Sequence, residues 1–135
     1  MKRFLVPGAI AIGVLLVIAL GLNGGSSGGQ ASDIEVQNAA LVTEGDVLYQ
    51  ASCAVCHGSD LRGTERGPSH LSTIYNPGHH GDGAFAIAAV NGVKAHHWNF
   101  GNMPRIPGLS DADLERIVAF VRENQRIEGY EPYPP

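Results

Sequence analysis

The 135-residue sequence predicts an all-α protein with three to four short helices joined by long loops, preceded by a single N-terminal apolar helix. Three observations favour this class. Helix-capping patterns recur between residues 43 and 126. No stretch of useful length alternates apolar and polar residues, as a half-buried strand would. Residues 4–22 form an uninterrupted apolar run.

The apolar run, Phe4 to Leu22, has 19 residues without a charged or strongly polar side chain. A helix of that length spans roughly 28 Å, close to the ~30 Å hydrocarbon core of a bilayer. Two basic residues precede the run and none follows before Arg62, so the positive-inside rule places the rest of the chain outside the cytoplasm. We expect residues 1–22 to be a single-pass anchor in the cytoplasmic membrane. The alternative is a cleaved signal peptide with a cleavage site near Gly29-Gln30-Ala31.

Residues 23–42 are predicted to form a flexible linker, because their first ten residues read NGGSSGGQAS. The folded domain is expected over residues 43–126. Residues 127–135 then form a Pro-rich tail that is either disordered or laid on a partner.

The first helix of the domain is expected to begin at Thr43, an N-cap with Asp46 as its capping-box partner. It should run to about Cys53 or Val55, with Val47 on its apolar face.

Two more helices follow. A weaker one is expected from Asp82, its cap, to about Asn91, with Gly92 beyond its end. The last helix has the strongest pattern, since Ser110 caps it, acids fill its first turn and Gly129 ends it. Its apolar stripe recurs at helical spacing and consists of Leu114, Ile117, Val118 and Val121.

The charge balance argues against binding to nucleic acid. From residue 32 onward there are seven basic and thirteen acidic residues, a net charge of 7 − 13 = −6. Nucleic acid needs Lys and Arg against its phosphates. No nucleophile–base pair suggests hydrolysis, so we expect neither an enzyme nor a small-molecule substrate.

The only two cysteines lie in Cys53-Ala54-Val55-Cys56-His57, which is the signature for covalent attachment of haem c. Two thiols at this spacing can each add to one vinyl group of a porphyrin, and the next residue carries an imidazole to the iron. A thioredoxin-like dithiol would need a βαβ context, and a zinc site would need a second cysteine pair. A haem would also fill the centre of a domain rich in irregular loops.

Met103 is the candidate for the second axial ligand of the iron. It is the only methionine besides the initiator, and it lies in the loop before the last helix, next to Pro104. Ligation by His57 and Met103 raises the reduction potential and closes the iron to substrate, which suits electron transfer. The alternatives are replacement of Met103 by His96 or His97, and an open sixth position as in a gas sensor or peroxidase.

The remaining histidines lie in predicted loops. We expect them to be solvated or hydrogen-bonded there; paired histidines binding zinc or copper are the alternative. Either His96 or Trp98 is a candidate donor to a haem propionate, and Trp98 otherwise packs in the core. These histidines are His70, His79, His80, His96 and His97.

Three segments resemble class I c-type cytochromes, especially bacterial membrane-anchored monohaem ones. They read CAVCHG at 53–58, GPSHL at 67–71 and NMPRIPGLSDADLERIVAFVR at 102–122. The resemblance covers about residues 43–126 and implies a small cytochrome c fold wrapped around one haem.

The resemblance also implies contacts within that fold. Gly45 and Tyr49 on the first helix would cross Ile117 and Phe120 on the last. The Pro68 carbonyl would accept a hydrogen bond from His57 and orient it, and Leu71 would pack against the porphyrin. The ring of lysines used for docking in the mitochondrial proteins is lacking, so the partner surface does not carry over.

The sequence therefore predicts a single-electron carrier on the periplasmic or extracellular face of the membrane, working between respiratory or photosynthetic complexes. Its expected partners are a quinol-oxidising complex and a terminal oxidase or dehydrogenase. The alternative is a fixed cytochrome c subunit of a dehydrogenase or oxidase complex.

Overall fold

The computed structural model describes residues 34–131. The predicted membrane anchor, residues 23–33 of the predicted linker and the last four residues lie outside this range. The described chain forms four α-helices, α1 (Ala39–Ser52), α2 (Ala54–His57), α3 (Asp82–Asn91) and α4 (Asp111–Glu128), and one short 3-10 helix, Thr73–Tyr75. Between residues 34 and 131 only isolated β-bridges occur, so the predicted all-α class is confirmed there. None of the helices within this range is long and apolar enough to cross a membrane.

The first helix begins earlier than predicted. Asn38 is the N-cap of α1, and its side chain accepts a hydrogen bond from the Ala40 amide at 2.9 Å. Residues 39–42, which the sequence assigned to the linker, form the first turn. The prediction that Thr43 is the cap is wrong: it lies inside the helix and its hydroxyl donates to the Ala39 carbonyl.

The buried face of α1 also differs from the prediction. Val47 is 68% exposed, whereas Gly45 and Tyr49 are buried. The reason is tertiary, since α4 crosses α1 on the side of these two residues. A Cβ atom added to Gly45 would overlap the Arg116 carbonyl oxygen and lie 3.0 Å from the Phe120 Cβ. Only a glycine allows the two helices this close approach.

The core lies between α1, α4 and the loop that follows α2. Tyr49 packs against Phe120 with ring centroids 5.3 Å apart, and Ile117 belongs to the same buried cluster. The crossing implied by the resemblance is therefore confirmed. The loop after α2 contributes Leu61 and Leu71, both almost completely buried.

The last helix follows its sequence pattern closely. The Ser110 side chain accepts a hydrogen bond from the Asp113 amide, and the Asp113 carboxylate accepts one from the Ser110 amide, which completes a capping box. Gly129 ends the helix with φ at 78°. The predicted apolar stripe is buried along its length.

Arg122 joins α4 to the segment that leads into α3. It is only 2% exposed, and it donates to the Asp82 carboxylate at 2.7 Å and to the Tyr75 and His80 carbonyls at 2.6 Å. The bounds of α3 are as predicted, but Gly81 occupies its N-cap and Asp82 pairs with Arg122 instead of capping the helix.

The start of the C-terminal tail lies on the domain itself. The Glu131 amide donates to the Leu71 carbonyl at 2.8 Å. Arg62 pairs with Glu131 at 2.9 Å and also with Glu128. The tail therefore returns to the loop that follows α2, at least as far as Glu131.

Candidate functional site

The Cys-x-x-Cys-His segment lies where α1 gives way to α2. Cys53 ends α1 and its amide still donates to the Tyr49 carbonyl at 2.8 Å, whereas its φ of −118° breaks the helix. One helical turn then carries Cys56 and His57, and Gly58 ends that turn with φ at 80°. Both cysteines are free and half-buried. Two thiols and an imidazole are thus presented within a single turn.

The Cys53 thiol has the electrostatics of an unreactive cysteine. Burial raises its pKa to about 11, and the neighbouring Cys56 adds to the rise. Redox-active Cys-x-x-Cys pairs work through a lowered thiol pKa. The environment of Cys53 therefore disfavours the dithiol alternative.

His57 is held in one orientation. Its side chain is buried, and its Nδ1 lies 2.9 Å from the Pro68 carbonyl oxygen. A carbonyl only accepts, so Nδ1 carries the proton and Nε2 keeps the lone pair that a metal needs. Burial lowers the pKa of His57, and the bond to Pro68 opposes that shift. The hydrogen bond implied by the resemblance is present.

The loop with Pro68 packs tightly against the attachment segment. A Cβ atom on Gly67 would lie 3.0 Å from the Cys56 carbonyl oxygen and 3.2 Å from the Cys56 Cβ. The Thr64 hydroxyl donates to that carbonyl at 2.7 Å. Gly67 thus allows the approach that brings the Pro68 carbonyl to His57.

His70 is the residue that sequence reasoning missed. We expected a solvated or hydrogen-bonded loop histidine, but it is buried, and its Nδ1 has no hydrogen-bond partner among the described residues. Its ring stacks on His57 with centroids 4.1 Å apart and an angle of 17°. Burial is the main cause that holds its pKa well below the usual value, so the ring is neutral. Its position two residues after Pro68 was the available signal.

Met103 has its backbone fixed against the end of α3. Its amide and carbonyl exchange hydrogen bonds of 3.0 Å with Val93. Gly92, with φ at 74°, lies so close that a Cβ atom there would be 2.6 Å from the Met103 carbonyl oxygen. The Ile106 amide donates to the Ala89 carbonyl at 2.7 Å and closes the loop on α3. Ligation of iron by the half-buried Met103 side chain remains a prediction.

The other two predicted pocket residues lie apart. Leu71 is completely covered by protein in the core cluster with Tyr49 and Phe120. Trp98 is half-buried and stacks on Tyr75, with ring centroids 5.9 Å apart and an angle of 19°. Their contacts with a porphyrin remain predictions.

These residues fit a covalently attached haem. The two thiols are free, they lie at the cap and near the end of one turn, and the adjacent imidazole has Nδ1 occupied, which leaves Nε2 as the nitrogen for a metal. Cys53 and Cys56 would hold the group, and His57 would ligate its iron. When bound, it supplies a one-electron iron couple.

Comparison with known proteins agrees with this geometry. The model of the cytochrome c family matches residues 42–125. A protein named cytochrome bc1 complex cytochrome c subunit, from Corynebacterium diphtheriae, is 31% identical over 120 residues, covering 87% of this chain and 40% of the relative. One of the same name from Mycobacterium bovis is 29% identical over 119 residues, covering 83% and 40%. The chain thus spans about 40% of the length of these relatives. No solved structure matches it significantly.

Proposed function

The chain belongs to the cytochrome c family, and from this premise we propose that it is the electron-transferring cytochrome c subunit of a membrane quinol-oxidising complex. Covalently bound haem c and electron transfer follow from family membership. The assignment to a complex is supported by the relatives, which are named as cytochrome c subunits of a bc1 complex. It revises our first expectation of a free carrier in favour of the fixed subunit.

The geometry of the attachment turn is the observation that carries the proposal, and it supports the predicted roles of Cys53, Cys56 and His57. Cys53 and Cys56 would hold the haem through thioether bonds, and His57 would ligate its iron through Nε2, because the Pro68 carbonyl occupies Nδ1 and fixes the ring. Met103 would supply the second axial ligand, and its backbone is held in place by hydrogen bonds with Val93. With His57 and Met103 both engaged, the haem would supply one-electron transfer and offer no open position for a substrate.

Exposed apolar side chains on α1 and in the attachment turn suit a lasting protein contact. Val55, between the two cysteines, is 62% exposed, and Val47 on α1 is 68% exposed. Buried interface centres are enriched in apolar groups and depleted of charge. Anchoring by residues 4–22, with the domain on the outer face of the membrane, is part of the proposal and keeps the haem near its membrane partner.

Purification of the native protein under mild detergent tests the assignment to a complex. We expect co-purification at constant stoichiometry with a haem b-containing membrane protein. A monomer without a stoichiometric partner would contradict the subunit assignment and favour the function of a free electron carrier.

The axial ligands are tested by optical spectra of the haem-loaded protein. We expect Met103→Ala to open the sixth position, so that the reduced variant binds carbon monoxide while the unaltered protein does not. Arg105→Gln, an exposed change two residues away, is the control and should leave the spectrum unchanged. A Met103→Ala variant that remains unresponsive would exclude Met103 as ligand.

A further inference from the structure

Three histidines from two separate loops meet at one end of α3. His79 and His80 precede the helix, and His97 lies in the loop that follows it. Each offers a ring nitrogen, and the three nitrogens lie within 4.8 Å of one another. The Nε2 atoms of His79 and His97 are 3.4 Å apart. His79 is exposed and the other two are half-buried.

The spacing between His79 and His97 matches that of two ligands on one ion. Zinc binds imidazole nitrogen at about 2.0–2.1 Å, so two such ligands at a tetrahedral angle are roughly 3.3–3.4 Å apart. A hydrogen bond between the rings is the competing explanation. Hydrogen bonds from an N–H group to oxygen in proteins measure about 2.7–3.2 Å, so 3.4 Å between the two ring nitrogens is long for a hydrogen bond.

His80 is already oriented for ligation. Its Nδ1 lies 2.9 Å from the Ile74 carbonyl oxygen, so Nδ1 carries the proton and Nε2 keeps the lone pair. Its own carbonyl accepts from the buried Arg122 at 2.6 Å, which ties this part of the backbone to α4. Metal-ligating histidines commonly donate their second nitrogen to a carbonyl in this way.

We propose that His79, His80 and His97 bind a divalent transition-metal ion of the kind that prefers imidazole, best represented by Zn²⁺, and leave its fourth position open. Imidazole suits zinc and copper, whereas magnesium and calcium require oxygen ligands, which this cluster lacks. The assignment does not depend on the proposed function, because it uses none of the predicted haem ligands.

His96 lies next to the cluster but outside the set of ligands. Its ring centroid is 4.3 Å from that of His97 and 6.2 Å from that of His80, and its Nδ1 lies 2.8 Å from the Lys94 carbonyl oxygen. It is an exposed histidine on the same surface. It therefore provides a matched control.

Metal binding would join the two loops that flank α3. The loop with His97 continues to Met103, whose backbone pairs with Val93. An ion held by His79, His80 and His97 would restrain this loop from its outer side. An ion that binds only the folded state raises stability, so the thermal midpoint should rise when Zn²⁺ is added.

The test is calorimetric titration of the haem-loaded full chain with Zn²⁺. We expect one Zn²⁺ per chain, and weakening by at least about tenfold in each of His79→Gln, His80→Gln and His97→Gln, since even second-shell changes cost a metal site 10–100-fold. His96→Gln should bind like the unaltered protein. X-ray absorption at the zinc edge should show nitrogen neighbours at about 2.0 Å with imidazole character.

Three results would overturn the site. One is equal weakening in His96→Gln, which would indicate a diffuse histidine surface. Another is unchanged affinity in the three ligand variants. The third is a change in the haem absorption spectrum on adding Zn²⁺ that persists in all three ligand variants, which would place the ion at the haem ligands. Circular dichroism of each variant verifies that the domain has folded.

Discussion

Gly45→Ala should separate the two helices on which the domain is built. A Cβ atom at this position would overlap the Arg116 carbonyl oxygen and lie 2.6 Å from the Arg116 carbonyl carbon. Ordinary carbon–carbon contacts are about 3.5–4.0 Å, so the helices must move apart by roughly 1 Å. A gap of about 0.5–1 Å forfeits a quarter to a half of the dispersion energy of the contacts that it opens.

The contacts at risk are those of the α1–α4 core, where Tyr49 packs against Phe120. Overpacking commonly costs about 1–3 kcal/mol, and a clash with backbone belongs at the upper end. The gain in helix propensity from glycine to alanine, about 1 kcal/mol, offsets part of this cost. We expect a net loss of about 2 kcal/mol of unfolding free energy, a fall of roughly 8–16 °C in Tm for a domain of this size.

Denaturant unfolding of the haem-loaded protein, followed by circular dichroism, measures the effect. Gly83→Ala is the matched control, because Gly83 also lies inside a helix and nothing would lie within 4 Å of its new Cβ. That variant should gain up to about 1 kcal/mol from propensity alone. If Gly45→Ala were as stable as Gly83→Ala, the close crossing would be refuted.

Three further predictions concern α4, its buried arginine and the methionine loop. Asp113→Asn should destabilise the protein at pH 7. Hydrogen bonds from Ser110 lower the pKa of Asp113, so its contribution is present above the unfolded pKa of about 3.8 and is lost as the pH falls through the lower folded pKa. The unfolding midpoints of the variant and the unaltered protein should therefore differ at neutral pH and converge at the acid end of a pH series. Arg122→Met should cost about 3 kcal/mol in denaturant unfolding, because two part-buried carbonyls and the buried Gln125 side chain lose their donor; a cost below about 1 kcal/mol would contradict this role. Gly92→Ala should displace the Met103 backbone, and an unchanged haem spectrum in this variant would show that the loop tolerates the shift.

Local patterns in the sequence were enough to predict the elements whose start, end or motif is specified by neighbouring residues. The signals of α4 depend on neighbours only a few residues away: the Ser110 capping box, the stripe from Leu114 to Val121 and the terminating Gly129. In the structure α4 begins directly after Ser110 and ends directly before Gly129, as predicted. The Cys53 to His57 motif likewise predicted one compact attachment turn, because five consecutive residues specify it.

Other features depended on residues far apart in the sequence. Thr43 is a residue type that commonly caps helices, yet α1 starts at Ala39. The segment before it is held on the domain, because Ile34 is buried and the Gln37 amide donates to Glu123 on α4. Val47 satisfied the helical period but faces solvent, because the position of α4 decides which side of α1 is covered.

The attachment motif, the class of the fold and the chemistry of the cofactor were therefore determined by the sequence alone, since each rests on local spacing. The stacking of His70 on His57 and the meeting of His79 and His80 with His97 were decided only by the tertiary structure. The sequence of a loop without periodicity does not predict which distant residues the loop will contact. Their path is set by the helices to which they are tied, here through Arg122 and the pairing of Val93 with Met103.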